Sequence, residues 1–133
     1  MRFLLDTCTI STHVRRLAGL QARFVQYAGR LYLPTLALAE LYVLAFRLDD
    51  PTERLATIAE IIRNEVEVID FDADCALVFG QLRAAMLRHG TVTSSIDLLI
   101  ASVALAHDLT LVTNNTRHFD HIPGLRLADW LTP

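Results

Sequence analysis

SSIDLLIASVALAHDLTLVT, residues 94–113, places a capped helix directly before a short apolar strand. Ser94 or Ser95 suits the N-cap, because a serine side chain accepts a hydrogen bond from a free amide of the first helical turn. The helix is predicted to run to about His107, and residues 109–113 have the β-branched and apolar character of a buried strand. A helix and a strand in one short segment are typical of an α/β fold.

The same alternation of strands and helices extends over the rest of the chain. Further short strands are predicted at residues 2–6, 31–33, 66–69 and 125–127. Helices are predicted as two short segments within 9–27 that meet near Gly19, then at 36–47 after a Thr35 cap, after the turn 49–52, and at 72–89 between an Asp72 cap and Gly90. We therefore expect an α/β fold in one domain, residues 1–133, with a mainly parallel central sheet of four to five strands flanked by helices.

The composition favours a folded, soluble protein over other classes. Hydrophobic residues make up 53% and charged residues 20% of the 133 residues, and the net charge is −3. No apolar run approaches the roughly 20 residues that a membrane span needs, so we expect a cytoplasmic protein without membrane contact. An acidic chain has no overall basic field to hold nucleic acid, although all 12 basic residues are arginine, which binds phosphate well. Cys8 and Cys75 lack metal-ligand spacing and are predicted to be free, buried thiols.

Three carboxylates occur where carboxylates are costly. Asp6 ends the apolar run 3–5, Glu40 interrupts the apolar stretch 36–44, and Asp97 precedes another apolar run. An ionised carboxylate among leucine and valine side chains needs hydrogen-bond donors or a cation. Oxygen ligands without histidine or cysteine favour Mg²⁺ or Mn²⁺, which can activate water for phosphodiester hydrolysis. The three acids therefore predict a metal-dependent hydrolase.

The predicted topology allows these acids to meet. In an open parallel sheet, ligands bind at the carboxyl ends of the strands, near the point where the strand order reverses. Asp6 ends the first strand, and residues 113–115 (Thr-Asn-Asn) end the fourth. Glu40 and Asp97 lie in the first turns of helices, whose N-termini are at the same edge of the sheet.

Each acid also has a structural alternative. Asp97 can complement a helix dipole, Glu40 can form a buried ion pair with an arginine, and Asp6 can accept hydrogen bonds from the amides of the next helix. Their positions in separate segments form no local motif that decides between these interpretations. A zinc site at His118 and His121 is disfavoured because no cysteine accompanies them, and no serine-nucleophile motif or glycine-rich phosphate loop is present.

Five segments in order along the chain carry a family resemblance: residues 4–11 (LLDTCTIS), 34–41 (PTLALAEL), 96–102 (IDLLIAS), 111–119 (LVTNNTRHF) and 123–130 (PGLRLADW). As a set, these segments resemble the PIN-domain ribonucleases, in particular the VapC toxins of bacterial type II toxin–antitoxin pairs.

The resemblance implies a compact α/β sandwich with an acidic catalytic pocket of Asp6, Glu40 and Asp97 that binds Mg²⁺ (or Mn²⁺). Asp6 and Asp97 are the implied direct ligands, and Glu40 binds directly or through water. The implied substrate is RNA, which water cuts to leave a 5′-phosphate. The implied partners are a second copy in a homodimer and a cognate antitoxin, with DNA contacted only through the antitoxin. From the residues alone, the apolar helices 36–47 and 55–62 fit either a dimer interface or the core.

Two positions depart from the family's pattern. Cys8 stands where many relatives have asparagine, and Asn115 stands where many PIN domains have a fourth acid, so we expect one bound metal. Thr7, Thr113 and Asn115 are expected to support the acids or to position the phosphate, and Arg117 is expected to contact RNA.

Two alternative functions remain open at this point. One is a PIN nuclease for RNA processing without an antitoxin, and the other is a catalytically weak PIN fold that serves as a binding module. A phosphoacceptor domain that uses Asp6 is set aside, because the chain lacks the adjacent acidic pair and has no lysine.

Overall fold

A computed structural model describes residues 1–16, 19–91 and 93–132 of the chain. Its described residues contain a five-stranded sheet in the order β3-β2-β1-β4-β5, and every neighbouring pair is parallel. This architecture confirms the predicted fold class. The strands are β1 (Phe3–Leu5), β2 (Leu31–Pro34), β3 (Glu67–Ile69), β4 (Thr110–Val112) and β5 (Leu127–Ala128).

Helices cover both faces of the sheet. Because side chains alternate along a strand, Phe3 and Leu5 join one hydrophobic core, and Leu4 joins the other. The first core includes side chains of α1 to α4, and the second includes side chains of α5 and α6. The helices are α1 (Thr7–Val14), α2 (Gln21–Gln26), α3 (Thr35–Phe46), α4 (Thr52–Asn64), α5 (Ala73–His89) and α6 (Ser95–Ala106), and a 3₁₀ turn spans Thr116–His118.

Three of the predicted helix boundaries are confirmed by their capping groups. Asp72 accepts a hydrogen bond from the Cys75 amide at 2.9 Å and caps α5. Gly90 ends that helix in the left-handed conformation, with φ at 71°, which a residue without Cβ adopts easily. Ser94, one of the two serines considered, caps α6 by accepting from the Asp97 amide.

Two predicted helix starts are wrong by a residue or two. Thr35 is the first residue of α3 rather than its cap, because β2 continues through Pro34 and the helix follows at once. The first helix begins at Thr7 rather than near residue 9, because the side chain of Asp6 caps it.

Two predictions made from the composition concern membrane spans and the cysteines. No helix in the described part of the chain is long and apolar enough to cross a membrane. Both cysteines are free thiols, and Cys75 is buried as predicted. Cys8 is only half-buried, because it lies in the first turn of α1 close to the crevice at the carboxyl end of β1.

Candidate active site

The strand order reverses between β1 and β4, and this switch point positions the site. From β1 the chain continues to β2 on one side, whereas β4 pairs with β1 on the other. Helices leave the carboxyl ends of such strands in opposite directions, which opens a crevice between them. Asp6 follows β1 and Thr113 follows β4, so both lie at this crevice.

Asp6 is held rigidly at the floor of the crevice. Its side chain is 5% exposed. One carboxylate oxygen, Oδ1, accepts from the Thr7 amide at 2.8 Å, and the other, Oδ2, accepts from the Thr113 hydroxyl at 2.8 Å. The first of these bonds is the helix cap that the structural alternative for Asp6 requires. The second ties β1 to β4 and is not part of a cap.

Glu40 reaches the crevice from the second turn of α3, not from the first turn as predicted, because the helix begins at Thr35. The Thr7 hydroxyl donates a hydrogen bond to Glu40 Oε1, which fixes the half-buried glutamate against the start of α1. Among the described residues, none of the ion pairs involves Glu40. The alternative of a buried arginine–Glu40 pair therefore finds no support in the part of the chain that is described.

Asp97 enters from the first turn of α6, beyond β4. Its amide donates to Ser94 Oγ at 3.2 Å, so its backbone belongs to the helix cap. Its carboxylate oxygen Oδ2 lies 3.4 Å from Nδ1 of His118, and its side chain is 24% exposed. The position in the first turn is compatible with a dipole role as well as with a role in the crevice.

The three acids form one electrostatic cluster. Burial raises the pKa of Asp6 above its ordinary value, and the negative charges of Asp97 and Glu40 raise this pKa further, against the lowering effect of the hydrogen bonds from Thr113 and Thr7. Excess negative charge at an all-oxygen group fits a hard divalent cation, since such a cation replaces repulsion with attraction. The donor chemistry of these residues is therefore suited to Mg²⁺ or Mn²⁺.

The supporting residues occupy different depths in the crevice. Thr113 is fully buried, donates to Asp6 and accepts from the Asn115 amide at 3.0 Å, so it acts on Asp6 and has no surface to offer a substrate. Asn115 and Arg117 are exposed. Cys8 Sγ lies 3.7 Å from Asp6 Oδ2 and 3.6 Å from the Thr113 hydroxyl, which places a soft thiol beside the acid.

A second group of potential ligands lies elsewhere. Among the described residues, Asp72, Cys75 and His107 form the group whose ligand atoms all lie within 4.8 Å of one another, whereas the three predicted acids are more widely spaced. Asp72 caps α5 and also contacts His107 Nε2 at 2.8 Å, which joins the start of α5 to the end of α6. Asp97 and His107 are ten residues apart on the same helix, a rise of about 15 Å, so this group is separate from the crevice.

Sequence reasoning missed two features of the crevice. His118 was considered only as a zinc ligand, but it lies against Asp97, and His121 instead contacts Thr93. The hydrogen bond between Thr7 and Glu40 joins residues from different segments, and no local sequence pattern predicts it. The sequence signal that was available is the position of His118, five residues beyond the end of the fourth predicted strand.

The chain is similar to known nucleases along nearly its whole length. The PIN domain family model matches residues 3–125. The tRNA(fMet)-specific endonuclease VapC of Salmonella typhimurium is 36% identical over 131 residues, which are 98% of this chain and 98% of that protein. Ribonuclease VapC2 of Haemophilus influenzae is 30% identical over 98% of this chain and 99% of its own.

A solved structure extends the match to three dimensions. The crystal structure of DNA-bound VapBC from Salmonella typhimurium contains a chain that superposes with a TM-score of 0.90 at 34% identity, covering 98% of both chains. Together with the family match, this likeness over nearly the whole length shows that the chain belongs to the PIN-domain family and, within it, to the VapC ribonucleases.

Proposed function

We propose that this protein is a metal-dependent endoribonuclease that acts as the toxin of a type II toxin–antitoxin pair. The observation that carries the proposal is the approach of Asp6, Glu40 and Asp97 at the switch point of the sheet, where burial and the charges of Asp97 and Glu40 raise the pKa of Asp6. The names of the relatives supply the reaction class, since they are ribonucleases and endonucleases.

Asp6 and Asp97 are the proposed direct ligands of one Mg²⁺ or Mn²⁺ ion, and Glu40 completes the pocket directly or through water. When bound, such an ion lowers the pKa of water and neutralises charge on a phosphoryl group. One ion is proposed because Asn115, whose side chain is neutral, stands where a fourth acid would add charge for a second.

The chain's own residues hold the carboxylates in place for this chemistry. The Thr113 hydroxyl and the Thr7 amide fix the two oxygens of Asp6, and the Thr7 hydroxyl fixes Glu40. Ligands that are already ordered lose little entropy on binding a cation and substrate. In the overall reaction, the oxygen of water bonds to phosphorus, the bond to the 3′-oxygen breaks, and a proton passes to that oxygen, leaving a 5′-phosphate and a 3′-hydroxyl.

The proposed partners are RNA, a cognate antitoxin and a second copy of the chain, with DNA contacted only through the antitoxin. A relative named for tRNA(fMet) makes that RNA the first substrate to test. The VapBC assembly of a structural neighbour supports an antitoxin. Helix α3 buries Ala37, Leu41 and Ala45 but leaves Val43 and Phe46 more than half exposed, so it has an apolar face available for a partner.

The test of the reaction uses purified protein, tRNA(fMet) and total RNA. We expect cleavage with Mg²⁺ or Mn²⁺, products with 5′-phosphates, and loss of cleavage in excess chelator or in Asp97→Asn. Arg63 is an exposed arginine in the last turn of α4, which leads into the amino end of β3 and so lies at the edge of the sheet away from the crevice. Arg63→Ala is the matched control and should cleave normally. Retained cleavage in chelator or in Asp97→Asn would overturn the mechanism.

Expression in cells separates the toxin role from RNA processing without an antitoxin. We expect induced expression of the wild-type chain to arrest growth, and co-expression of a small adjacent gene product to relieve the arrest. If expression does not arrest growth although the purified protein cleaves RNA, the processing nuclease would be favoured instead. Absence of turnover with normal folding would favour the binding module.

A further inference from the structure

A cleft of about 400 Å³ opens beside Asp97. Of the three acids in the cluster, Asp97 is the one that lines it, so a molecule in the cleft touches the acidic cluster at one end. Two segments form the walls, one leading into α6 and one following β4. The lining residues are Thr91, Thr93, Ser94, Asp97, Arg117, His118 and His121.

The wall that follows β4 carries groups suited to an anion. Arg117 is exposed and takes part in none of the ion pairs found among the described residues. His118 is 61% exposed, and its Nδ1 lies 3.4 Å from Asp97 Oδ2, so the ring sits at the boundary between the cleft and the acidic cluster. A guanidinium that has no ion-pair partner in the described part of the chain can bind a phosphate through paired N–H donors.

The opposite wall, which leads into α6, holds the ring of His121 in place through Thr93. The Thr93 hydroxyl and His121 Nε2 are 2.6 Å apart, and Thr93 is 7% exposed, so a buried residue holds one edge of the imidazole. The His121 side chain keeps about a third of its surface exposed to the cleft. Histidine is one of the side chains on which unstacked RNA bases stack, and a ring that is already oriented loses little entropy when a base binds.

We propose that this cleft binds the single nucleotide that adjoins the scissile phosphate, with Arg117 and His118 contacting its phosphate and His121 stacking on its base. The proposal deepens the proposed ribonuclease function and rests on it for the position of the scissile phosphate. The volume is at the small end of the roughly 300–1,000 Å³ typical of ligand pockets, which suits one nucleotide rather than a longer segment. The cleft therefore gives the enzyme a base preference on one side of its cut.

Binding can be measured without turnover. Histidine side-chain NMR signals of the full chain are followed in chelator while each of the four ribonucleoside 5′-monophosphates is added, with inorganic phosphate as the comparison. We expect the signals of His118 and His121 to shift more with one or two of the nucleotides than with phosphate, while that of His107, at the other end of α6, stays in place. Equal shifts with inorganic phosphate, or none, would overturn nucleotide binding in the cleft.

Kinetics then test the role in cleavage. We expect Arg117→Ala and His121→Ala to raise KM about tenfold with kcat changed less than about threefold, because they remove ground-state binding to a nucleotide. His121→Ala should also flatten the base preference beside the cut, and His121→Phe, which keeps a ring face, should restore part of it. Arg63→Ala is the control. An unchanged KM and base preference in both alanine variants would overturn the assignment.

The two experiments separate this inference from the function on which it rests. If the wild type cuts no RNA but nucleotides shift the His118 and His121 signals, the ribonuclease proposal fails and nucleotide binding in the cleft stands. If RNA is cut in a metal-dependent way and nucleotides leave those signals unmoved, the ribonuclease stands and the cleft assignment fails.

Discussion

Asp6 and Asp72 are both helix-capping aspartates that follow a strand, yet their surroundings give them opposite properties. Asp72 is exposed, and hydrogen bonds from the Cys75 amide and from His107 hold its pKa below the ordinary value. Asp6 is buried, and desolvation together with Asp97 and Glu40 holds its pKa above the ordinary value. Asp72 caps through the third amide of its helix and Asp6 through the first, and only at Asp6 do burial and neighbouring acids make the ionised carboxylate costly. Burial and neighbouring charge, rather than capping, distinguish the aspartate that we propose as a metal ligand.

The largest expected effect is the difference in RNA cleavage between isosteric variants of these two aspartates. We expect Asp6→Asn to lower the cleavage rate by about 100-fold or more, because the amide removes the charge of a proposed metal ligand. Asp72→Asn should stay within about twofold of wild type, because asparagine is also a good N-cap. Initial rates on one RNA under saturating Mg²⁺ measure both. Comparable losses in the two variants would mean that Asp6 is only a cap.

The neighbour that holds each aspartate provides the next test. Thr113→Val removes the hydroxyl that orients Asp6, and we expect cleavage to fall about tenfold, within the range for residues that support a metal ligand. His107→Gln alters the equivalent contact at Asp72 and should leave cleavage unchanged. Raising the Mg²⁺ concentration should recover part of the Thr113→Val activity if metal affinity is what was lost. Equal rates for Thr113→Val and wild type at limiting Mg²⁺ would contradict a supporting role for Thr113.

Local sequence was sufficient for the two ends of α5 and for the strands to within a couple of residues, but not for the difference between the two aspartates. Asp72 and Gly90 were predicted as the ends of α5 because their side chains and backbone preferences act within one turn. Asp6 was singled out because an acid ends an apolar run, which signals a burial cost. Both inferences use residues that are adjacent in the chain.

What the sequence could not supply depends on long-range contacts. The order β3-β2-β1-β4-β5 brings Thr113 to Asp6, and the packing of α5 against α6 brings His107 to Asp72. The contact between His118 and Asp97 similarly joins a turn after β4 to the start of α6. The family resemblance implied the acidic cluster, but no local pattern ranks these particular partners. At Thr35 a local preference gave the wrong prediction. Its side chain suits a cap, but β2 continues through Pro34 and the helix begins at Thr35 itself.

A smaller effect is expected in thermal stability, where substitutions of the two aspartates should change Tm in opposite directions. Asp6→Asn should raise Tm by about 3–5 °C, because it removes a buried charge while the Thr113 hydroxyl can turn to accept from the new amide. Asp72→Ala should lower Tm by about 2–5 °C, because the Cys75 amide loses its acceptor. Differential scanning calorimetry at neutral pH in chelator measures both variants beside wild type. A fall in Tm for Asp6→Asn would show that its hydrogen bonds outweigh its desolvation.

The smallest expected effect is a difference in the pH at which the Tm of each variant becomes equal to that of wild type. This difference compares the two aspartates most directly. For Asp6, whose pKa in the folded protein is raised above 3.8, the ionised form costs stability at neutral pH, and this cost is relieved as the pH falls through that raised value. For Asp72, whose folded pKa is lowered below 3.8, the stabilisation is fully present above 3.8 and is lost only as the pH falls through the lowered value.

On acidification, therefore, the Tm of Asp6→Asn should converge with that of wild type first, and the Tm of Asp72→Ala should converge at a lower pH. A Tm series over the acidic range for the three proteins measures the order. Convergence of Asp72→Ala before Asp6→Asn would contradict the assigned directions of the two pKa shifts. Asp6 would then be an ordinary cap, without the excess negative charge that a cation at the crevice would neutralise.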